Sequence, residues 1–202
     1  MQGLCNVNSN GRYKMESSMK QQEQQQKKPD SKKEFVTLLD EEEVEIKKLT
    51  AEDVEDCVKV MRKCAFDVTE VEVKGIIDCG FSYAATVHRM IVGVGLAWPT
   101  KINLKSKTIN SGQPNALYME DPAVLLAYEG KGIRRILLKE REKAATAASL
   151  PYSIAYLYED VPKGSISDYL HEAGNQLEKI YLSESYEFHR TSRGVLALKK
   201  IS

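Results

Sequence analysis

Leu117-Tyr118-Met119-Glu120-Asp121-Pro122-Ala123-Val124-Leu125-Leu126-Ala127-Tyr128-Glu129-Gly130-Lys131-Gly132-Ile133-Arg134-Arg135-Ile136-Leu137-Leu138 is the stretch that decides the fold. Its first part is apolar and β-prone, and residues 116–126 read as one long strand. Tyr128 to Gly132 breaks the strand, and a helix is expected from Ile133 to Ala148. A strand, two glycines and a helix start bring unpaired main-chain N–H groups to one spot. The helix dipole favours negative charge there. Lys131, Arg134 and Arg135 add three cations beside it. The unit reads as a cradle for a diphosphate, although a bare G-x-G equally marks an ordinary helix start. The Walker pattern G-x-x-x-x-G-K-S/T is absent. A dinucleotide fingerprint would need a third spaced glycine near the start of a βαβ unit.

Upstream, residues 99–114 read as a polar loop, with Pro99, Asn110, Ser111, Gly112 and Pro114. Before it, 81–87 and 91–98 read as a hairpin joined at His88-Arg89-Met90. Val54, Cys57, Val58, Met61, Cys64 and Ala65 recur at helical spacing behind Thr50 and Asp53, which resemble a capping box. A second helix is expected over 68–78. Residues 44–49 alternate apolar and charged, as a half-buried strand does. Residues 1–34 are rich in Gln and Lys and carry almost nothing to bury, so a disordered tail is expected before a domain over 35–202. Downstream come a strand at 152–158, a loop at 161–165, a helix at 166–182, and strands at 186–191 and 194–199. The interleaved order makes the chain mixed α/β, with a partly antiparallel sheet.

Lys plus Arg is 29 and Asp plus Glu is 29, so net charge argues for neither nucleic acid nor an anionic membrane. No apolar run is long enough to span a bilayer and the N-terminus is polar, so a cytoplasmic protein is expected. The cysteines show no metal-ligand spacing. Cys57 and Cys64 read as reduced thiols on one helix face, and no metal is expected. His88, His171 and His189 lack partners at useful spacing and read as surface or packing residues. Trp98 lines either an acceptor site or, more simply, the core.

The run Tyr118 to Ile133 resembles the fourth strand and coenzyme A loop of the GNAT N-acetyltransferases. Its Leu-Tyr-Met-Glu-Asp start resembles the spermidine/spermine branch. The family loop Q/R-x-x-G-x-G/A here reads Glu129-Gly130-Lys131-Gly132-Ile133-Arg134. Gly132 matches, while Glu129 and Arg134 depart. Ile180-Tyr181-Leu182-Ser183-Glu184-Ser185-Tyr186 resembles the family's F-Y-x-x-x-G-F, with Ser185 in place of Gly. The family's Asn is unmatched: Gly174 stands there, beside Asn175.

The resemblance implies a mostly antiparallel sheet splayed between the family's fourth and fifth strands, flanked by about four helices. It implies an enzyme that moves acetyl from acetyl-CoA to a primary amine, on a small polyamine-like molecule or a protein. Pantetheine would lie along Pro122, Ala123 and Val124, and diphosphate over Glu129, Gly130, Lys131, Gly132, Ile133, Arg134 and Arg135. Adjacent strand residues face opposite ways, so Glu120 or Asp121 must face the cleft. By the resemblance Glu120 is the base and Tyr181 the acid for the thiolate. A strand acid in an ion pair and a half-buried packing tyrosine are the plainer readings of the same residues. A homodimer stays open, as does a coenzyme-binding or scaffold module without turnover.

Overall fold

The computed structural model of the chain describes residues 43–158, 164–172 and 176–202. The tail over 1–34 lies outside the described residues, as do the start of the domain and most of the loop read at 161–165. The described elements are β1 (Glu45–Lys48), α1 (Val54–Lys63), α2 (Glu70–Ile77), β2 (Tyr83–Val87), β3 (Met90–Gly95), β4 (Ala97–Asn103), β5 (Thr108–Asn110), β6 (Ala116–Met119), β7 (Ala123–Val124), α3 (Ile133–Ala147), β8 (Tyr152–Tyr158), α4 (Ile166–Glu172), α5 (Gln176–Ser183), β9 (Glu187–Thr191) and β10 (Gly194–Lys200).

Local chemistry sets the helix starts. Asp53 accepts from the Thr50 N–H at 3.0 Å, and α1 follows. A second box, which the sequence reading passed over, starts α2: Thr69 N–H donates to Glu72 at 2.9 Å, and Glu72 N–H donates back to the Thr69 hydroxyl at 3.3 Å. Val54, Cys57, Val58 and Met61 turn one buried stripe of α1 onto Val94, Leu96 and Ala123.

Two sheets form, in the orders β1-β2-β3-β7 and β5-β4-β6-β8-β10-β9. Pairing is antiparallel except for β6 with β8. One core lies between α1, α2 and the first sheet. On the other face, Ile133 and Leu137 of α3 pack on Ala85, Val87 and Val92. Gly93 permits that approach, since a Cβ there would meet Ile133 Cγ2 at 2.9 Å. Glu142 fastens the far end of α3: it accepts from Tyr186 Oη at 2.8 Å and from Lys199 Nζ at 2.8 Å.

Three expectations change. Residues 99–114 hold the hairpin β4–β5 rather than a loop, because Ile102 buries against Ile154, Leu196 and Leu198. The Asn115 side chain takes a strand partner's place, accepting from Ile102 N–H at 2.8 Å and donating to Ile102 O at 3.1 Å. The strand expected over 116–126 is interrupted at 120–122 and ends in a single 3₁₀ turn at Leu126–Tyr128. Pro122 has no N–H to continue a ladder. The helix expected over 166–182 is two helices, α4 and α5, so five α-helices flank the sheets among the described residues.

Candidate active site

β6 and β8 run parallel and paired only from Ala116↔Tyr152 to Tyr118↔Ile154. Beyond that point the chain crosses to the other sheet, where Val94↔Ala123 and Gly93↔Val124 pair, while β8 continues along β10. The two strands therefore part, and the V between β7 and the second half of β8 opens toward the N-terminus of α3. Leu125 N–H donates to Val92 O at 2.9 Å, so alternation points the carbonyls of Pro122 and Val124 away from β3. Both are engaged. Pro122 O accepts from Arg134 Nη1 at 2.5 Å, and Val124 O accepts from the Cys64 thiol at 3.2 Å.

Gly130 and Gly132 take φ of 78° and 77°, the left-handed region that glycine enters without strain. Nothing lies within 4 Å of where their Cβ atoms would be, so the space above them is open. Among the described residues, the main-chain N–H groups of Gly130, Gly132, Ile133 and Arg134 donate to no carbonyl. This is the array of free donors that a diphosphate needs.

The cations are less free than the sequence suggests. Arg134 grips Glu129 with two nitrogens, Nη2 to Oε1 at 2.5 Å and Nε to Oε2 at 3.2 Å. Its side chain is 23% exposed and that of Glu129 27%. The pair is sheltered enough to be worth more than an ordinary surface bridge. Arg135 donates to Ser183 at 2.9 Å and lies 3.2 Å from Glu184. Lys131 sits 5.2 Å over the Tyr128 ring. The groups present fit a diphosphate, provided that Arg134 exchanges Glu129 and Pro122 for it.

Glu120 stands where the strand breaks and is half-buried. With Leu96 it ends a small cavity otherwise walled by Met61, Phe66, Val68, Val73 and Ile76. At 10 Å³ the cavity is small, and its lining is almost wholly apolar. Burial, and then the charge of Asp121, push the Glu120 carboxyl up to about 7. A bond from the Asp121 main chain and the nearby Arg141 hold it from rising further.

Tyr181 of α5 is fully buried, edge-on to Tyr186 at 4.9 Å, and its hydroxyl has no partner among the described residues. Burial and the Asp121 charge push its phenol above the usual range. Ser185 explains the family's glycine: its φ is 64°. Its N–H donates to Leu182 O at 3.3 Å, and Tyr186 N–H donates to Tyr181 O at 3.1 Å. This is a Schellman cap with a serine in the left-handed position. Ser185→Gly is expected to stabilise the chain by about 1 kcal/mol, read from urea unfolding. An unchanged midpoint would mean that the serine is not strained.

The remaining residues stand apart from this convergence. His88 lies in the β2–β3 turn, exposed His171 on α4, and His189 on β9 at 3.5 Å from Glu187. Trp98 stacks on Tyr118 with ring centroids 4.5 Å apart. Cys57 and Cys64 are free, and no cluster suited to a metal exists among the described residues. No described helix is long and apolar enough to cross a membrane. A buried charge beside Glu120 that the sequence reading passed over is Arg141, whose Nη1 donates to Glu120 O at 2.8 Å. Its only signal was a charge on the buried stripe of α3.

A mixed sheet parted in this way, with a glycine loop and helix at the mouth of the V, is the GNAT fold. No family model and no curated protein sequence matches the chain. Solved structures do. The loading GNATL domain of CurA from Lyngbya majuscula superposes with a TM-score of 0.62 at 15% identity, over 79% of this chain and 98% of that one. The GphF GNAT-like decarboxylase in complex with isobutyryl-CoA gives 0.60 at 12%, over 78% and 100%. PaiA N-acetyltransferase from Thermoplasma acidophilum, in complex with coenzyme A, gives 0.57 at 15%, over 78% and 99%. At these identities the likeness is one of fold. Nothing in these neighbours points to the spermidine branch.

Proposed function

We propose that the chain transfers an acetyl group from acetyl-CoA to a primary amine by direct attack. The carrying observation is the parted pair β7/β8, with unpaired main-chain donors at one end and the Glu120 carboxyl at the break. Two fold neighbours, described with coenzyme A and isobutyryl-CoA, support a ligand of that kind. Loop residues 130–134 would hold the diphosphate, and the strand around Pro122–Val124 the pantetheine arm. The cosubstrate supplies a thioester carbonyl. Glu120 takes the proton as the amine nitrogen bonds to that carbon. The carbon–sulfur bond breaks, and Tyr181 returns a proton to the leaving sulfur. The acceptor is a small, polyamine-like molecule or a protein amine, and the chain works in the cytoplasm as a monomer or homodimer, without nucleic acid or membrane.

Calorimetry and thermal shift with acetyl-CoA test the reading first, and binding with an upward shift in Tm is expected. With an amine panel, kcat/KM should rise with pH about a midpoint near 7, because the base works only when ionised. Neither heat nor thermal shift at saturating ligand would sink the proposal.

A second reading, a coenzyme-binding module without turnover, draws on the sealed Tyr181 hydroxyl and the Arg134–Glu129 pair. Binding with no transfer to any amine would select it.

A further inference from the structure

α3 carries one residue that its buried stripe does not call for. Arg141 follows Leu137 and Leu138 on the face turned to the sheets and is fully buried. Its Nε donates to Leu137 O at 3.0 Å, and Nη1 donates both to Leu96 O at 2.9 Å and to Glu120 O at 2.8 Å. Leu96 O also accepts the Glu120 N–H at 3.1 Å. One guanidinium thus joins the point where β3 passes into β4 to the point where β6 breaks. Gly95 makes room for it, since a Cβ there would lie 3.1 Å from Arg141 Nε and 3.2 Å from Cζ.

Holding a charged guanidinium in the interior is costly. Among the described residues no carboxylate makes a hydrogen bond to it, and Nη2 has no partner at all. If packing alone were needed, an apolar residue of that volume would serve as well. We infer that Arg141 is a positioning residue: it fixes the main chain of Glu120 and keeps a positive charge behind the carboxyl that receives the amine's proton. This rests on Glu120 being the base.

The surroundings of Glu120 make the charge matter. Asp121 beside it is acidic, and Tyr118 of β6 and Tyr181 of α5 are neutral phenols. The side formed by α1, α2 and the turn between them offers only Met61, Phe66, Val68, Val73 and Ile76. Leu96 closes the strand side. Arg141 is the one cation that acts on the Glu120 carboxyl among these groups.

The test needs no acceptor. In protein labelled with carbon-13 at the glutamate carboxyls, the Glu120 signal is assigned by its loss in Glu120→Gln and followed against pH. Arg141→Gln is expected to raise the Glu120 midpoint, because an opposite charge has gone. Arg141→Lys, which keeps the charge, should return it toward wild type. Arg141→Met, which keeps an apolar chain in the interior and removes the charge, should move the midpoint upward as Arg141→Gln does and decides the matter if Arg141→Gln does not fold. An unmoved midpoint in a folded Arg141→Gln, or in Arg141→Met where that variant alone folds, overturns the inference, as does a Lys variant that titrates like Gln. If the wild type transfers no acetyl group, the catalytic reading fails while the titration still reports on Arg141.

Discussion

Glu120→Gln is expected to lower kcat/KM by about 10²–10⁴ while leaving acetyl-CoA affinity unchanged. The amide keeps the size and the neighbours of the acid but cannot take a proton. The rise in rate with pH, centred near 7 in the wild type, should disappear with it. The same substitution should stabilise the fold at alkaline pH. A carboxyl held up to about 7 in the folded state keeps its proton there after the unfolded chain has lost it. The wild type therefore loses stability as pH climbs from the ordinary glutamate range to about 7, and stays at the lower level above that. Gln has nothing to lose, so its advantage is absent in acid and reaches on the order of 3 kcal/mol at pH 8. A variant that is slower but keeps the wild-type pH profile would remove Glu120 from the proton's path. Equal unfolding curves at pH 8 would say that the carboxyl is not desolvated.

The sequence carried these conclusions unevenly, and the reasons are physical. Periodicity located α1 because it buries a regular face, and the apolar, β-prone run of β10 marked it as a buried strand. Periodicity missed the β4–β5 hairpin. That pair is at the edge of its sheet, carries Lys101, Lys105 and Lys107, and takes part of its ladder from an Asn115 side chain. It also ran β6 into β7, because an apolar stretch gives no sign that the chain changes sheets at Asp121-Pro122. The motif singled out Gly130, Gly132, Glu120 and Tyr181. It gave no sign of Arg141 or of the grip of Arg134 on Pro122 O. Each depends on contacts between residues 12 to 45 positions apart, which no local pattern encodes.

Arg134→Glu is expected to weaken acetyl-CoA by about 100-fold, and Glu129→Gln to tighten it by about tenfold. The two opposed results follow from one geometry. In the structure Arg134 spends its donors on Glu129 and on Pro122 O, a carbonyl facing the gap where the pantetheine arm would run. A diphosphate must take Arg134 from a carboxylate that already satisfies it. Both are oxyanions that accept paired N–H bonds from a guanidinium, so part of what the phosphate offers is cancelled by what the guanidinium gives up. Gln in place of Glu129 removes the competitor's charge and leaves the cation to the ligand. Glu in place of Arg134 removes the cation and sets two acids beside the phosphates, a penalty the main-chain donors of 130–134 cannot offset alone. S-acetylpantetheine separates this account from simple damage to the loop, because it has the arm without the diphosphate. Its affinity should hold or improve in Arg134→Glu, since Pro122 O is freed. If both ligands weaken alike, Arg134 supports the loop rather than the phosphates. If acetyl-CoA binds Glu129→Gln no better than wild type, the carboxylate is no rival to the ligand.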